Sequence, residues 1–154
     1  MGRTGSAQYG LAGNGSHELH LRECVELLAS GTVGRVAIGT PRGPHIVPVN
    51  YVVDRESVVF RTSPYGVLGR SAWPCRLAFE VDEIDPASSS GWSVVANGLA
   101  ERLDDPVEIG TLRAFRDPQP WADGIRRMYV RLPWDSLTGR RVGAALGRGR
   151  AEGS

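Results

Sequence analysis

The sequence predicts a mainly β domain, an antiparallel barrel with a few short helices. Three observations predict it. Short apolar segments recur between clusters of Gly, Pro, Asp and Ser, while few stretches carry a helical period. Residues 45–62, H-I-V-P-V-N-Y-V-V-D-R-E-S-V-V-F-R-T, set two apolar runs around a polar turn, the pattern of a buried hairpin. A further segment, residues 92–102, is long enough to bend around a barrel, with Gly98 as a bulge or kink within it.

The elements follow in order. Leu19, Leu21, Cys24, Val25, Leu27 and Leu28 fall on one side of a helix, with Arg22, Glu23 and Glu26 opposite and Gly31 as C-cap. Strands are expected at 34–39 and 46–53, joined through Thr40-Pro41-Arg42-Gly43-Pro44, and then at 57–62, 76–82 and 91–102. A short helix is expected at 65–72. Pro106 opens a second helix over 107–115, and Pro118 and Pro120 keep 117–124 a loop. A last strand spans 127–132, and residues 133–141 close the domain. The ends, 1–16 and 143–154, are Gly-rich without a periodic apolar face and are expected to be disordered tails around a single domain, 17–142.

A chain of 154 residues that is 41% hydrophobic can build one core. Its net charge of +1 gives no reason to expect nucleic acid or an anionic membrane as partner, so any anion site must be local. There is no lysine, which excludes a lysine nucleophile or Schiff base. Cys24 and Cys75 form no CxxC pair and are expected to be reduced thiols. No apolar run approaches the roughly 18 residues that cross a bilayer, and no signal-peptide core is present. A soluble, cytoplasmic protein is the expectation.

Few residues carry chemistry. His17 and His20 share what reads as a helix start, with no H-E-x-x-H pattern, so no metal site is predicted. No G-x-S-x-G elbow, P-loop or dinucleotide fingerprint occurs. Asp82, Glu83 and Asp85 read as a solvated loop. The end of the hairpin is more informative, because Arg61, Thr62 and Ser63 offer a planar cation and two hydroxyls beside the expected 65–72 helix start. A surface ion pair with a turn and a phosphate site both fit that pattern. Trp73, Trp92, Trp121 and Trp134 lie beside Gly or Pro, where indole planes serve a flat ligand, simple packing or a dimer interface.

An ordered set of segments resembles the FMN-binding split barrels of the pyridoxamine 5'-phosphate oxidase-like family, particularly small actinobacterial members. The segments are L-x-x-x-V-E-L-L-A-S-G-T-V-G-R-V-A, I-V-P-V-N-Y-V-V, V-V-F-R-T and F-E-V-D-E-I-D-P-A-S-S-S-G-W-S-V-V-A-N-G-L-A-E, followed by P-W-A and L-T-G-R-R. They span residues 21–142. The resemblance implies a six-stranded antiparallel Greek-key split barrel, homodimeric, with two FMN sites in grooves between subunits. It implies Val47, Pro48, Val49 and Asn50 along the isoalloxazine, mainly through backbone groups, and Arg61 and Thr62 at the phosphate. Phe60, Val67 and Leu68 join the cofactor-binding positions by the same carry-over. Trp92 and Trp121 would approach from the partner chain or cover the ring.

One position departs from the family. Relatives follow F-R-T with a loop of the type T-x-x-G-T-K-L whose Lys contacts the phosphate, whereas Val67 stands here. A charge-assisted bond contributes about 1.5–3 kcal/mol, so the exchange weakens FMN by roughly 10- to 100-fold unless Arg70 replaces it. Deazaflavin and haem are the alternative ligands, with His45 the one axial or acid–base candidate. The implied activity is that of an FMN-dependent oxidoreductase, flavin reductase-like, on a small molecule. The alternative is a non-catalytic flavin-, deazaflavin- or haem-binding protein.

Overall fold

The computed structural model describes residues 15–122 and 124–143. The elements run β1 (His17–Glu18), α1 (Leu21–Ser30), β2 (Val33–Thr40), β3 (Gly43–Asp54), β4 (Ser57–Thr62), β5 (Cys75–Asp85), β6 (Ser90–Arg102), α2 (Pro106–Phe115), β7 (Met128–Pro133) and β8 (Ser136–Val142). All strand pairs are antiparallel. Strands β6-β5-β2-β3-β4-β7 pair in sequence and β7 returns to β6, closing a six-stranded barrel. β8 and β1 extend the sheet from the outer edge of β6. The expected barrel is therefore present, with two strands added outside it.

The closure depends on β6. Residues 90–100 pair with β5, residues 91–97 pair with β8, and Glu101 and Arg102 pair with β7. The strand changes partner around Gly98. A Cβ on Gly98 would run into the Pro133 carbonyl oxygen, so the position anticipated as a kink is a close approach of two backbones.

Alternation fills the interior. Val36, Val49, Tyr51, Val58, Phe60, Phe79, Val81, Val94 and Ala96 share one core, with Tyr51 and Phe79 edge to face at 4.6 Å between ring centroids. The opposite face of β4 is buried as well. There Val59 and Tyr129 pack against Leu103 and Leu112 beneath α2, whose Asp105 side chain accepts from the Val107 N–H (3.0 Å) as N-cap. α1 buries Cys24 and Leu28 but leaves Leu21 exposed, a narrower apolar face than its periodicity predicted.

Gly31 does close α1, in extended rather than left-handed backbone. Glycine is needed there because a Cβ would collide with the Tyr51 hydroxyl, which donates to the Leu28 carbonyl. Burial pushes that hydroxyl up to about 12.

Four local expectations are corrected. Residues 65–72 form turns, not a helix: Pro64 and two glycines interrupt the segment, and a Cβ on Gly69 would strike the Pro64 carbonyl. The segment 133–141, read only as closing the domain, supplies most of strand β8 (Ser136–Val142), and His17 lies in β1 rather than at a helix start. β5 runs on through Asp85, so Asp82 and Glu83 lie within the strand and not in a loop. At its end the Asp85 carboxylate accepts from the Ala87 N–H and the Ser88 hydroxyl, the latter chiefly holding it below the usual carboxylate range. The tails expected over 1–16 and 143–154 lie outside the described residues, apart from Gly15, Ser16 and Gly143. Among the described residues no helix is long and apolar enough to cross a membrane.

Candidate functional site

The barrel splits between β3 and β4. Tyr51 pairs with Phe60, but beyond that point β4 pairs only with β7, while β3 residues 43–50 pair only with β2. The Tyr51 N–H donates to the Thr32 carbonyl on the β2 side (3.1 Å). Backbone groups alternate along an antiparallel strand, so those of Ile46, Pro48 and Asn50 face the other edge, toward the split. Pro48 has no N–H, which leaves that edge a carbonyl there and both groups at Asn50. Edges of this kind are ready to bond a planar polar ligand.

The split is a narrow crevice of about 50 Å³ lined by Val47–Asn50, Arg61, Thr62, Pro120, Ala122 and Arg126. That is room for a water or two. Residues 117–122 narrow it. The Trp121 N–H donates to Asn50 Oδ1 (2.9 Å), while Asn50 Nδ2 is buried with no hydrogen-bond partner among the described residues. An unpaired buried donor of this kind costs about 1–3 kcal/mol, so Nδ2 marks a place for an acceptor.

Arg61 is engaged from three sides. Its Nε donates to the Arg126 carbonyl (3.0 Å), its Nη1 lies 3.3 Å from the Asp117 carboxylate, and its guanidinium stacks 5.2 Å from the Tyr129 ring centre. Asp117 in turn accepts from the Tyr129 hydroxyl (2.8 Å) and Gln119 Nε2 (3.1 Å). Both open readings of the Arg61 pattern thus bear on one residue: it borders the crevice and it is ion-paired. Asp117, 56 residues away, carried no local sequence signal as its partner.

A larger groove of about 1380 Å³ opens at the mouth of the barrel, between the β2–β3 turn, the start of β5 and the 63–74 loop. Val47 lines both it and the crevice. Val67, Arg70, His45 and Cys75 line it too, and burial raises the Cys75 thiol. Arg70 Nε donates to the Tyr65 carbonyl (2.7 Å).

Of the residues singled out from sequence, Val47, Pro48, Val49, Asn50, Arg61 and Thr62 come together at the crevice, and Val67 reaches the adjoining groove. Phe60 (0% exposed) and Leu68 (1%) are core residues that present no side-chain surface to a ligand. Trp92 is 9% exposed and packed in its own barrel, because its position on β6 points inward; it does not cover the crevice. Trp121 is 73% exposed beside the crevice, anchored through its backbone. The anion-binding helix start expected at 65–72 is absent. Residues that sequence reasoning missed are Asp117, Pro120, Ala122 and Arg126.

Comparison with known proteins agrees with this architecture. Residues 21–141 match the profile of the family described as pyridoxamine 5'-phosphate oxidase. The uncharacterized protein Rv0080 of Mycobacterium tuberculosis is 35% identical over 130 residues, covering 81% of this chain and 84% of that protein. The structure of the FAD binding protein from Mycobacterium smegmatis superposes with a TM-score of 0.68 at 29% identity, covering 82% and 98% of the two chains. The FAD and heme binding protein from the same organism, at 18% identity over 83% of this chain and 74% of that one, shares the fold with a TM-score of 0.64. The chain belongs to the pyridoxamine 5'-phosphate oxidase family.

Proposed function

We propose that the chain is an FMN-dependent oxidoreductase of the flavin reductase type, acting on a small molecule as a homodimer. The observation that carries this reading is the buried, unpartnered Nδ2 of Asn50 beside the strandless edge of β3. A flavin ring is flat and edged with carbonyls and ring nitrogens, which complements a donor at Asn50 Nδ2 and Asn50 N–H and an acceptor at the Pro48 carbonyl. These groups would bond the edge of the ring at the mouth of the crevice, since the crevice itself has room only for a water or two.

At the phosphate end Arg61 is held by Asp117. Arg70, on the groove wall beside Val67 with only its Nε engaged, is the group that would hold the phosphate. A bound flavin supplies hydride or electron transfer. The protein contributes orientation through β3 and a ring environment bordered by Val47 and Pro48. Ile46 (64% exposed) and Trp121 flank the crevice as apolar surface for a second copy, which would complete the cofactor groove.

The absorbance spectrum of the purified protein tests this. Flavin bands that bleach on addition of a reduced nicotinamide nucleotide are expected. A colourless protein whose melting temperature does not move with FMN overturns the reading, and a Soret band would transfer it to haem ligated by His45.

A further inference from the structure

The donor assigned to the ring edge is closed off. Asn50 Nδ2 is buried, and the crevice beside it holds about 50 Å³, against the roughly 300–1,000 Å³ of a common ligand pocket. The mouth groove is different: at about 1380 Å³, with Arg42, Arg70 and Arg76 on its walls, it stands open. A ligand can therefore reach the phosphate end at once, and the ring-edge donor only after something moves.

The moving part is marked by how unevenly the 117–122 segment is fastened. Its root is tight. Pro118 is fully buried, and the Asp117 carboxylate accepts from Arg61 Nη1 at 3.3 Å, the Tyr129 hydroxyl at 2.8 Å and Gln119 Nε2 at 3.1 Å. The tip is loose. Among the described residues, 120–122 make a single hydrogen bond, from the Trp121 N–H to Asn50 Oδ1 (2.9 Å). Pro120 has no N–H with which to add another. Yet Pro120 and Ala122 line the crevice, while Trp121 is 73% exposed.

That hydrogen bond does two things. It holds Pro120 and Ala122 over the crevice, and it occupies Asn50 Oδ1 so that the amide keeps Nδ2 inward. One side chain thus carries the latch on its oxygen and the ring donor on its nitrogen. We propose that residues 120–122 are a gate over the ring end of the site, latched by the Trp121 N–H, and that flavin is captured by the form in which the latch is broken. The proposal rests on the flavin reading above for what enters. A neutral, exposed hydrogen bond shifts such an equilibrium by about 2- to 10-fold. When a ligand binds just the open form, its association slows in proportion to the open fraction, and its dissociation does not change.

The matched variants Trp121→Ala and Trp121→Pro test it, since both lack the indole and only proline lacks the N–H. Stopped-flow mixing of each whole chain with FMN, followed by flavin fluorescence, should show association about 2- to 10-fold faster for Trp121→Pro at equal dissociation rates. Amide hydrogen exchange of the parent without flavin is the second readout. Its Trp121 N–H should exchange at least about 2-fold slower than in an unstructured peptide, and Asn50→Ala should abolish that protection. Equal association rates in the two variants, or a Trp121 N–H that exchanges at the unstructured rate, would overturn the gate while leaving the flavin reading intact. Association and dissociation that both rise in Trp121→Pro would overturn it too, because the proline would then have altered the bound state and not the latch. A protected Trp121 N–H with no FMN bound by any of the chains would keep the latch and remove the flavin behind it.

Discussion

Gly98→Ala will destabilise the protein by about 3 kcal/mol or more, lowering its melting temperature by roughly 10 °C. β6 changes partner from β8 to β7 around Gly98, and the Pro133 carbonyl oxygen lies where the new methyl would go. The obstacle is backbone, so no rotamer change relieves it; β6 and β7 must separate at the seam that closes the barrel. Gly110→Ala is the matched control. Gly110 sits within α2 with open space around it, and alanine there should stabilise by about 0.5–1 kcal/mol through helix propensity. Thermal unfolding of the two variants side by side checks both signs. A Gly98→Ala protein as stable as the parent would mean that β6 and β7 do not meet there.

Arg61→Ala will cost about 2–3 kcal/mol of stability, a result not expected of a residue reserved for a ligand. Its side chain is 20% exposed and that of Asp117 is 11%, so removing the guanidinium leaves a largely buried carboxylate without its cation. It also frees the Arg126 carbonyl and the face of Tyr129. The double variant Arg61→Ala/Asp117→Asn should lose clearly less than the sum of the two single changes, because no orphaned charge remains. Denaturant melts of the four proteins measure that coupling. Strict additivity would show that the pair does not hold the 117–122 segment against the crevice.

The parts of this fold that were legible in the sequence are those written in local periodicity. The 45–62 hairpin emerged as β3 and β4 because its apolar runs flank a polar turn whose Arg55 adopts a left-handed conformation. Gly98 was legible as an interruption within a long strand. What stayed hidden depends on partners distant along the chain. β8 reads as S-L-T-G-R-R-V, with only two apolar residues, and becomes a strand because β6 offers it an edge.

Residues 65–72 form no helix for a local reason: Pro64, Gly66 and Gly69 fold the segment into turns, with the Arg70 N–H donating to the Gly66 carbonyl. The candidate site was legible in its strands and not in its loops. Val47–Asn50 and Arg61–Thr62 share the crevice because antiparallel pairing brings them together. Asp117 and the mouth-groove arginines lie on separate segments, where no spacing rule links them. The resemblance supplied Trp92 as approaching from the partner chain or covering the ring; within its own chain the inward phase of β6 buries it.

The unpartnered Nδ2 of Asn50 is the atom assigned to the flavin ring. Asn50→Asp keeps the side-chain shape and the acceptor for the Trp121 N–H while removing that donor and adding charge. FMN titration of the parent and Asn50→Asp, followed by flavin fluorescence, is the most direct measurement. Saturable binding to the parent is predicted, weakened about 10- to 100-fold in a variant that keeps its circular dichroism. Equal affinity in both proteins, or no binding to the parent, would contradict the assignment of this crevice to a flavin.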